Sequence, residues 1–175
     1  ARLSREVGVA VTDSAAAKQV LKARRYARFD RMVEARFTKE VLSRLFEMFR
    51  LRQDGEIHRL VTDNADIPTI YEYITAIAWY RISGCKGDVL EYMNLSLEAD
   101  LLPRTHAGGG EADIVWKYGA TDHYPAHTLL IEATLSDGSG QRRMEMEPVS
   151  RHLGDYRLAH RDEEAYCVFT STNVN

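Results

Sequence analysis

The sequence is poor in cysteine and has no long apolar segment. Only Cys85 and Cys167 occur among the 175 residues, and their wide separation matches no metal-ligand spacing. We therefore expect two reduced structural thiols. No apolar run reaches the roughly 18 residues that a membrane-spanning helix needs, and no charged-then-apolar signal peptide opens the chain. These absences favour a cytoplasmic protein with no membrane partner.

Two common catalytic signatures are also missing. The sequence has no Gly-rich phosphate loop that ends in Lys-Ser or Lys-Thr, and no serine stands in a nucleophile elbow. A nucleotide cofactor and acyl transfer by serine therefore have no support. What remains is an ordinary globular composition, 45% hydrophobic and 9% aromatic, in a chain of about one domain's length.

Charge is distributed unevenly along the chain. Between Lys18 and Arg52 there are eleven Lys or Arg residues and four acids, a local balance of +7, so the rest of the chain sums to -10. A basic segment beside an acidic one is typical of a polyanion-binding surface next to a cation-binding site. The solvated face of a helix would explain the basic segment equally well.

The first half of the chain is predicted to be helical. From about Ala15 to Arg52 apolar residues recur at steps of three and four, over a length that suggests two helices, the second starting near Thr38. Asp54-Gly55 predicts a turn after them. Further helices are expected over residues 68–82 and, more briefly, over 88–99.

The hydrophobic period changes after a glycine-rich loop, which we place at residues 102–110. Residues 112–118 (ADIVWKY) and 128–135 (TLLIEATL) are predicted strands joined by a turn. Residues 165–171 (AYCVFTS) are a third strand, apolar on both faces and so expected to be central. A helix over 141–156 separates the last two strands. This order predicts an α/β sandwich with a mixed sheet.

Two acidic residues interrupt the predicted apolar strands. Asp113 precedes Ile-Val-Trp, and Glu132 follows Leu-Leu-Ile. A carboxylate in a buried strand is costly to desolvate unless a partner compensates it. If the two strands form a hairpin, both carboxylates lie at one end of the sheet, where they could seat Mg²⁺. Exposed positions paired with nearby arginines would also explain these acids.

A polar stripe follows on the next predicted helix. At 100° per residue, Gln141, Glu145 and His152 point within about 40° of one another, provided that the helix is unbroken. Pro148 is expected either to kink this helix or to start a new one. A helix packed on a sheet normally buries apolar residues, so the stripe suggests a functional site. A surface glutamate and a helix-capping histidine are the alternative.

The ordered string of these residues is more specific than its parts. It runs from GGGEAD, which ends at Asp113, through IEATL around Glu132, to GSGQRRMEMEPVSRHL at residues 138–153. In this order it resembles the cleavage domain of the AlwI-like type IIS restriction and nicking endonucleases, members of the PD-(D/E)xK nuclease superfamily. The PTIYEY segment at residues 68–73 matches as well, and the resemblance covers roughly residues 66–172.

The resemblance implies a role for each matching residue. Glu72 corresponds to an acid on the helix that leads into the sheet, and His152 to a histidine that could polarise water or contact the scissile phosphate. The expected metal ligands are Asp113, Glu132, Glu145 and the Ala133 carbonyl.

One position departs from the wider superfamily. Its motif places a lysine two residues after the second acid, and this sequence has Thr134 there. The AlwI-like group shares a small or hydroxyl residue at this position, so Thr134 does not imply inactivity. It leaves open which group orients the attacking water, and Gln141 and His152 are the candidates. A catalytically inactive DNA-binding or assembly subunit with the nuclease fold would explain Thr134 as well.

Together these features predict a Mg²⁺-dependent DNA endonuclease, with Mn²⁺ able to substitute, that leaves 5′-phosphate and 3′-hydroxyl ends. The partner is double-stranded DNA, and a homodimer or a heterodimer with a recognition or cleavage subunit is expected for a double-strand cut. A DNA repair or junction nuclease of the same fold is a further alternative. The residues expected to contact phosphate are Gly109, Gly110, Arg142, Arg143 and Arg151.

The expected organisation has two parts. Residues 1–60 form a basic helical segment that contacts DNA or links to a recognition domain. Residues 61–175 form a nuclease catalytic domain with a PD-(D/E)xK restriction-endonuclease-like mixed sheet flanked by helices. The chain stops four residues after the third predicted strand, so we expect a domain truncated at its C-terminus, as in a fragment of a longer protein.

Overall fold

The computed structural model of the chain describes residues 14–106, 110–135 and 141–172, and over residues 141–148 it describes the backbone alone. The chain divides into two compact units, Ala1–Thr38 and Lys39–Asn175. No helix among the described residues is both long enough and apolar enough to cross a membrane.

The first unit, in its described part, consists of helix α1 (Ser14–Arg36). Arg36 occupies the last turn, where a cation interacts favourably with the negative end of the helix dipole. Its guanidinium lies over the ring of Phe37, 5.6 Å from the ring centroid. The amide of Phe37 still bonds to the carbonyl of Val33 at 2.9 Å, which extends the helical pattern by one residue.

Helices precede the strands in the second unit. In chain order they are α2 (Lys39–Arg50), α3 (Asp54–Leu60), α4 (Ile67–Ile82) and α5 (Val89–Tyr92). The Asp66 carboxylate caps α4 by accepting a hydrogen bond from the Thr69 amide at 2.9 Å. Helix α4 is buried along most of its length, including the polar residue Glu72. It therefore forms the centre of the helical part of the core.

Two of the helix predictions are confirmed and a third feature is corrected. The basic segment forms two helices that separate at residues 37–38, and the helix over 68–82 is α4. The turn predicted at Asp54-Gly55 is wrong, because α3 begins at Asp54. The turn lies slightly earlier, at residues 51–52, where Arg52 has a φ of 54°.

The helix predicted over residues 88–99 is also wrong beyond its first turn. Helix α5 ends at Tyr92, and Leu95–Leu97 forms strand β1, which pairs antiparallel with β2 (Pro103–His106) in the expected loop. The apolar spacing was compatible with a helix, but backbone pairing decides otherwise. The Asn94 amide bonds to the carbonyl of Asp113 at 2.8 Å, which ties this segment to the main sheet.

A three-stranded mixed sheet carries the site. It contains β3 (Ile114–Tyr118), β4 (His127–Thr134) and β5 (Glu164–Ser171), in the order β3-β4-β5. Strands β3 and β4 are antiparallel, and β4 and β5 are parallel. The predicted mixed sheet is therefore confirmed. The expectation that residues 165–171 are central is wrong for the described sheet, because β4 supplies the buried middle strand and β5 is more exposed.

Helix α6 (Gln141–Ala159) connects β4 to the parallel strand β5, as a parallel pair requires a crossover. The helix continues across Pro148, so the expectation that a new helix starts there is wrong. A proline removes one helical hydrogen bond, and the remaining turns of this helix still form. The Tyr156 hydroxyl hydrogen-bonds Thr128 Oγ1 on β4 at 3.1 Å, which holds α6 against the sheet.

Candidate functional site

Asp113 and Glu132 lie at the same end of the sheet. The antiparallel register pairs Ile114 with Ile131, so the residue before β3 stands opposite Glu132. The Oδ2 atom of Asp113 accepts a hydrogen bond from the Ala133 amide at 2.8 Å. The side chains of Asp113 and Glu132 are 15% and 10% exposed. The sheet therefore holds two neighbouring carboxylates largely away from water.

Helix α4 and strand β2 add two further groups to this end of the sheet. Glu72 Oε2 lies 3.0 Å from His106 Nδ1. The same His106 nitrogen lies 4.0 Å from Asp113 Oδ1. One donor atom from each of these three residues lies within 4.8 Å of the other two. Three separate elements thus bring two carboxylates and an imidazole to one point.

A second histidine reaches the site from helix α6. His152 Nδ1 lies 2.7 Å from Glu132 Oε1, and its side chain is only 13% exposed. Tyr156, one turn further along the helix, bonds Thr128 on the strand that carries Glu132. The position of His152 is therefore set by the packing of α6 on β4.

Burial and neighbouring charges raise the pKa values of two carboxyl groups in the site, those of Asp113 and Glu72. Burial raises the pKa of Asp113 to about 7, helped by the charges of Glu72 and Glu132 and opposed by the hydrogen bond from Ala133. Burial likewise raises the pKa of Glu72, against the lowering effect of His106. Burial lowers the pKa of His106, but its hydrogen bond to Glu72 and the neighbouring carboxylates outweigh this and raise it overall. The raised pKa values of Asp113 and Glu72 show that the negative charge of this buried cluster is not fully compensated by its neighbours.

This donor set fits a divalent cation. Mg²⁺ and Mn²⁺ prefer oxygen ligands, and carboxylates are the usual ones. The ion pairs described for the three carboxylates use histidines, His106 and His152, which neutralise charge only when protonated. A divalent ion would balance the excess negative charge of the cluster whatever the protonation of these histidines.

The structure brings together four of the residues singled out in the sequence: Glu72, Asp113, Glu132 and His152. Ala133 stands beside them. Other predicted residues have a described backbone only. They lie in α6, with side chains outside the described residues, and they are Gln141, Arg142, Arg143 and Glu145.

The expected phosphate-contacting residues fall in different places. Gly109 lies outside the described residues. Gly110 is exposed and has a φ of 110°, a backbone conformation that favours glycine. Arg151 is exposed on α6, next to His152. Thr134 ends β4 and is paired with Ser171 in the register of the parallel strands.

Sequence reasoning missed His106. The residue matches no motif, and its segment reads as a loop that leads into a glycine run. Only the pairing of β2 with β1, and the position of β2 beside α4, show that its ring meets Glu72.

A cavity of about 380 Å³ has His152 of helix α6 in its wall. Its wall includes Gly110, Glu111 and Lys117, together with His152 and Tyr156 from α6. The cavity therefore borders one of the two histidines of the site.

Comparison with known proteins identifies a family and related solved structures. A family model described as AlwI restriction endonuclease matches residues 1–175. Among solved structures, the chain is similar to the small subunit (R.BspD6I2) of the heterodimeric restriction endonuclease R.BspD6I, with 24% sequence identity and a TM-score of 0.52. The match covers 75% of this chain and 60% of that chain. No curated protein matches the chain.

Proposed function

Because the chain belongs to the AlwI restriction endonuclease family, we propose that it is a Mg²⁺-dependent DNA endonuclease of the type IIS restriction or nicking kind. The observation that carries this proposal is the proximity of Glu72, Asp113 and Glu132 at one end of the mixed sheet. One histidine contacts Glu72 and another contacts Glu132. We assign the sheet and its flanking helices to the PD-(D/E)xK architecture. The products would carry 5′-phosphate and 3′-hydroxyl ends.

The proposed metal ligands are Asp113, Glu132 and the Ala133 carbonyl, with Glu145 and Glu72 as acids for a second position. A divalent ion held there would supply Lewis acidity to the phosphoryl oxygen and would lower the pKa of a bound water. The Ala133 amide holds Asp113 Oδ2 at 2.8 Å, which leaves Oδ1 on the side of Glu72 and His106. The backbone that would offer a carbonyl ligand therefore also orients the first carboxylate.

His152 is proposed to position Glu132 and to handle a proton. A ring that donates from Nδ1 to Glu132 Oε1 keeps a lone pair on Nε2, because neutral imidazole carries one proton. That nitrogen could accept a proton from the attacking water. Since Thr134 has no amino group to do so, His152 and Gln141 are the groups proposed to orient this water.

DNA contacts are proposed along the same end of the sheet. Gly110 would let the backbone approach a phosphate closely, and Arg151 would add a positive charge beside His152. Gly109, Arg142 and Arg143 are proposed for the same role. Such contacts would position the duplex without reading its sequence.

For the whole chain we propose a basic helical segment over residues 1–60, which contacts DNA or joins a recognition domain, and a catalytic domain over residues 61–175. The similar solved structure is the small subunit of a heterodimeric restriction endonuclease. This supports a subunit role, with a second copy or a different subunit completing a double-strand cut.

The test is a nicking assay on supercoiled DNA of high sequence complexity, with Mg²⁺ or Mn²⁺. Nicking should occur, and Glu132→Ala should reduce it at least ~100-fold because the metal loses a ligand, while DNA binding persists. Asp122→Asn, in an exposed turn, serves as the matched control. If the chain neither binds a divalent ion in calorimetry nor nicks DNA, the proposal is wrong.

Thr134 favours a second candidate, a DNA-binding or assembly subunit that does not cut. Such a subunit would bind DNA equally well before and after Glu132→Ala and would show no nicking with either ion. A repair or junction nuclease would instead cut branched DNA in preference to plain duplex, so the same assay should include both substrates.

A further inference from the structure

We propose that His106 Nδ1 is itself a ligand of a divalent ion at the second position, the one to which Glu72 is assigned, with Asp113 as a further ligand. This nitrogen makes that position favour Mn²⁺ or Co²⁺ over Mg²⁺. The inference rests on the proposed nuclease function and adds a ligand and an ion preference to it.

The distances suit a shared ion. Two ligand atoms that each lie roughly 2.1 Å from one ion are about 3.0 Å apart at right angles and about 4.2 Å apart across the ion. His106 Nδ1 lies 3.0 Å from Glu72 Oε2 and 4.0 Å from Asp113 Oδ1. Small side-chain shifts would therefore place all three atoms around one ion.

The backbone holds two of these ligands through a single short segment. Leu95 pairs with His106 in the register of β1 and β2. The preceding residue, Asn94, donates its amide to the carbonyl of Asp113 at 2.8 Å. The consecutive residues Asn94 and Leu95 thus pair with Asp113 and His106 respectively. This pairing limits the distance between the Cα atoms of the two proposed ligands before any ion binds.

The third ligand is tied to the same region by its neighbour. Glu72 lies in the buried helix α4, and the hydroxyl of the next residue, Tyr73, donates to the carbonyl of Leu101 at 2.8 Å. Leu101 lies just before β2, the strand that ends at His106. Helix α4 is therefore linked to the segment that leads into β2.

The chemistry of the donor set gives the ion preference. Mg²⁺ prefers oxygen ligands in octahedral geometry and binds imidazole nitrogen weakly. Mn²⁺ and Co²⁺ bind imidazole more readily, and affinity rises along the series from Mn²⁺ to Co²⁺. A site with one nitrogen and two carboxylates should therefore discriminate against Mg²⁺ more strongly than a site of carboxylates alone.

A simpler role for His106 makes a different prediction. If its Nδ1–H only holds Glu72 in place, the nitrogen never contacts the ion. Loss of the ring would then weaken Mg²⁺ and Mn²⁺ binding alike, as the loss of a residue that orients a ligand does.

The experiment measures binding on the full chain. Pulsed electron paramagnetic resonance of the Mn²⁺-loaded wild-type protein should show nitrogen hyperfine coupling from a directly bound imidazole. This coupling should disappear in His106→Asn and remain in His152→Asn, which changes the other histidine of the cluster. The wild-type spectrum requires no variant to fold.

Calorimetry tests the ion preference by measuring the affinities of the protein for Mn²⁺ and Mg²⁺. His106→Asn should lower Mn²⁺ affinity at least ~10-fold, the lower end of what the loss of a ligand-orienting residue alone costs, and should lower Mg²⁺ affinity much less. His123→Asn, in an exposed turn, should change neither. Equal losses for both ions, or a wild-type spectrum without nitrogen coupling, would overturn the inference. If Mg²⁺ binding and nicking persist in that case, the proposed function stands without it. If no divalent ion binds and no DNA is nicked, both fail.

Discussion

At the scale of single residues, the site is a set of buried carboxylates, each held by a specific donor. The Ala133 amide bonds Asp113, His152 bonds Glu132, and His106 bonds Glu72. Each carboxylate would be costly to bury alone. In the metal-free protein these contacts order the acids, so that binding an ion costs little additional side-chain entropy.

The raised pKa of Asp113 predicts how the stability of the metal-free protein depends on pH. Its folded-state pKa is about 7 and its ordinary value is 3.8. The folded state therefore binds this proton more tightly than the unfolded chain, and the resulting stability is lost as pH rises through about 7. Urea unfolding in EDTA should show a lower free energy of unfolding at pH 8.5 than at pH 6.

Asp113→Asn should reduce that pH dependence, because an amide does not titrate. Asp122→Asn, at an exposed position, should keep it. An unchanged pH profile in Asp113→Asn would show that other groups cause the dependence.

The contact between His152 and Glu132 predicts a loss of activity on mutation. His152→Gln should reduce nicking and metal affinity by roughly 10- to 100-fold, as expected when a residue that orients a metal ligand is lost. His160→Gln offers a matched control, since His160 directly follows the same helix and is exposed. The two variants should be compared by initial nicking rate and by calorimetry. Equal nicking rates would argue against the proposed role of His152.

At the scale of elements, the site depends on where each helix and strand begins and ends. Helix α4 presents Glu72 from its buried middle, β2 ends at His106, and β3 begins one residue after Asp113. Strand β4, the middle strand of the sheet, carries the buried Glu132 near its end. A shift of one residue in the β3–β4 register would turn the side chains of the shifted strand to the opposite face. Asp113 and Glu132 would then lie on opposite faces, so the register is as important to the site as the residues themselves.

The cap of helix α4 predicts a change in stability. Asp66→Ala removes the hydrogen bond to the Thr69 amide and should lower the free energy of unfolding by about 1 kcal/mol. Asp63→Ala, nearby and exposed, should have a much smaller effect. Chemical denaturation of both variants makes the comparison, and equal stabilities would show that the cap contributes nothing.

At the scale of the whole molecule, the chain combines a basic N-terminal part with an acidic site in the second unit. The excess of eleven basic residues over four acids between Lys18 and Arg52 is suited to a phosphate backbone. The carboxylate cluster, by contrast, would repel DNA unless a cation neutralised it. Binding and cutting should therefore respond to different substitutions.

The double variant Arg25→Gln/Arg31→Gln tests this separation. Both residues are exposed on α1. If they contact phosphates, DNA affinity should fall, and the slope of log affinity against log salt should become shallower by roughly 0.9 per charge lost. The nicking rate at saturating DNA should stay unchanged. Filter binding across a salt series measures the slope, and an identical slope would place the DNA elsewhere.

Much of the architecture could be predicted from local patterns. The two basic helices, helix α4 and the three strands of the main sheet follow from hydrophobic period and turn residues, because these signals act over a few neighbouring residues. The acids Asp113 and Glu132 also stood out, since a charge in an apolar strand is unusual. The β1–β2 pair could not be predicted in this way, because residues 88–99 fit a helical spacing and only backbone pairing with β2 makes Leu95–Leu97 a strand.

The sequence by itself determined the chemical types available to the site: carboxylates in apolar strands, a histidine on the following helix and a basic segment upstream. Only the tertiary structure decided which of these groups meet. Glu72, His106 and Asp113 are separated by up to 41 positions in the chain, and no local pattern encodes their contact. Their meeting depends on strand register and on the packing of α4 beside β2, where backbone hydrogen bonds between distant segments set the distances on which a shared ion depends.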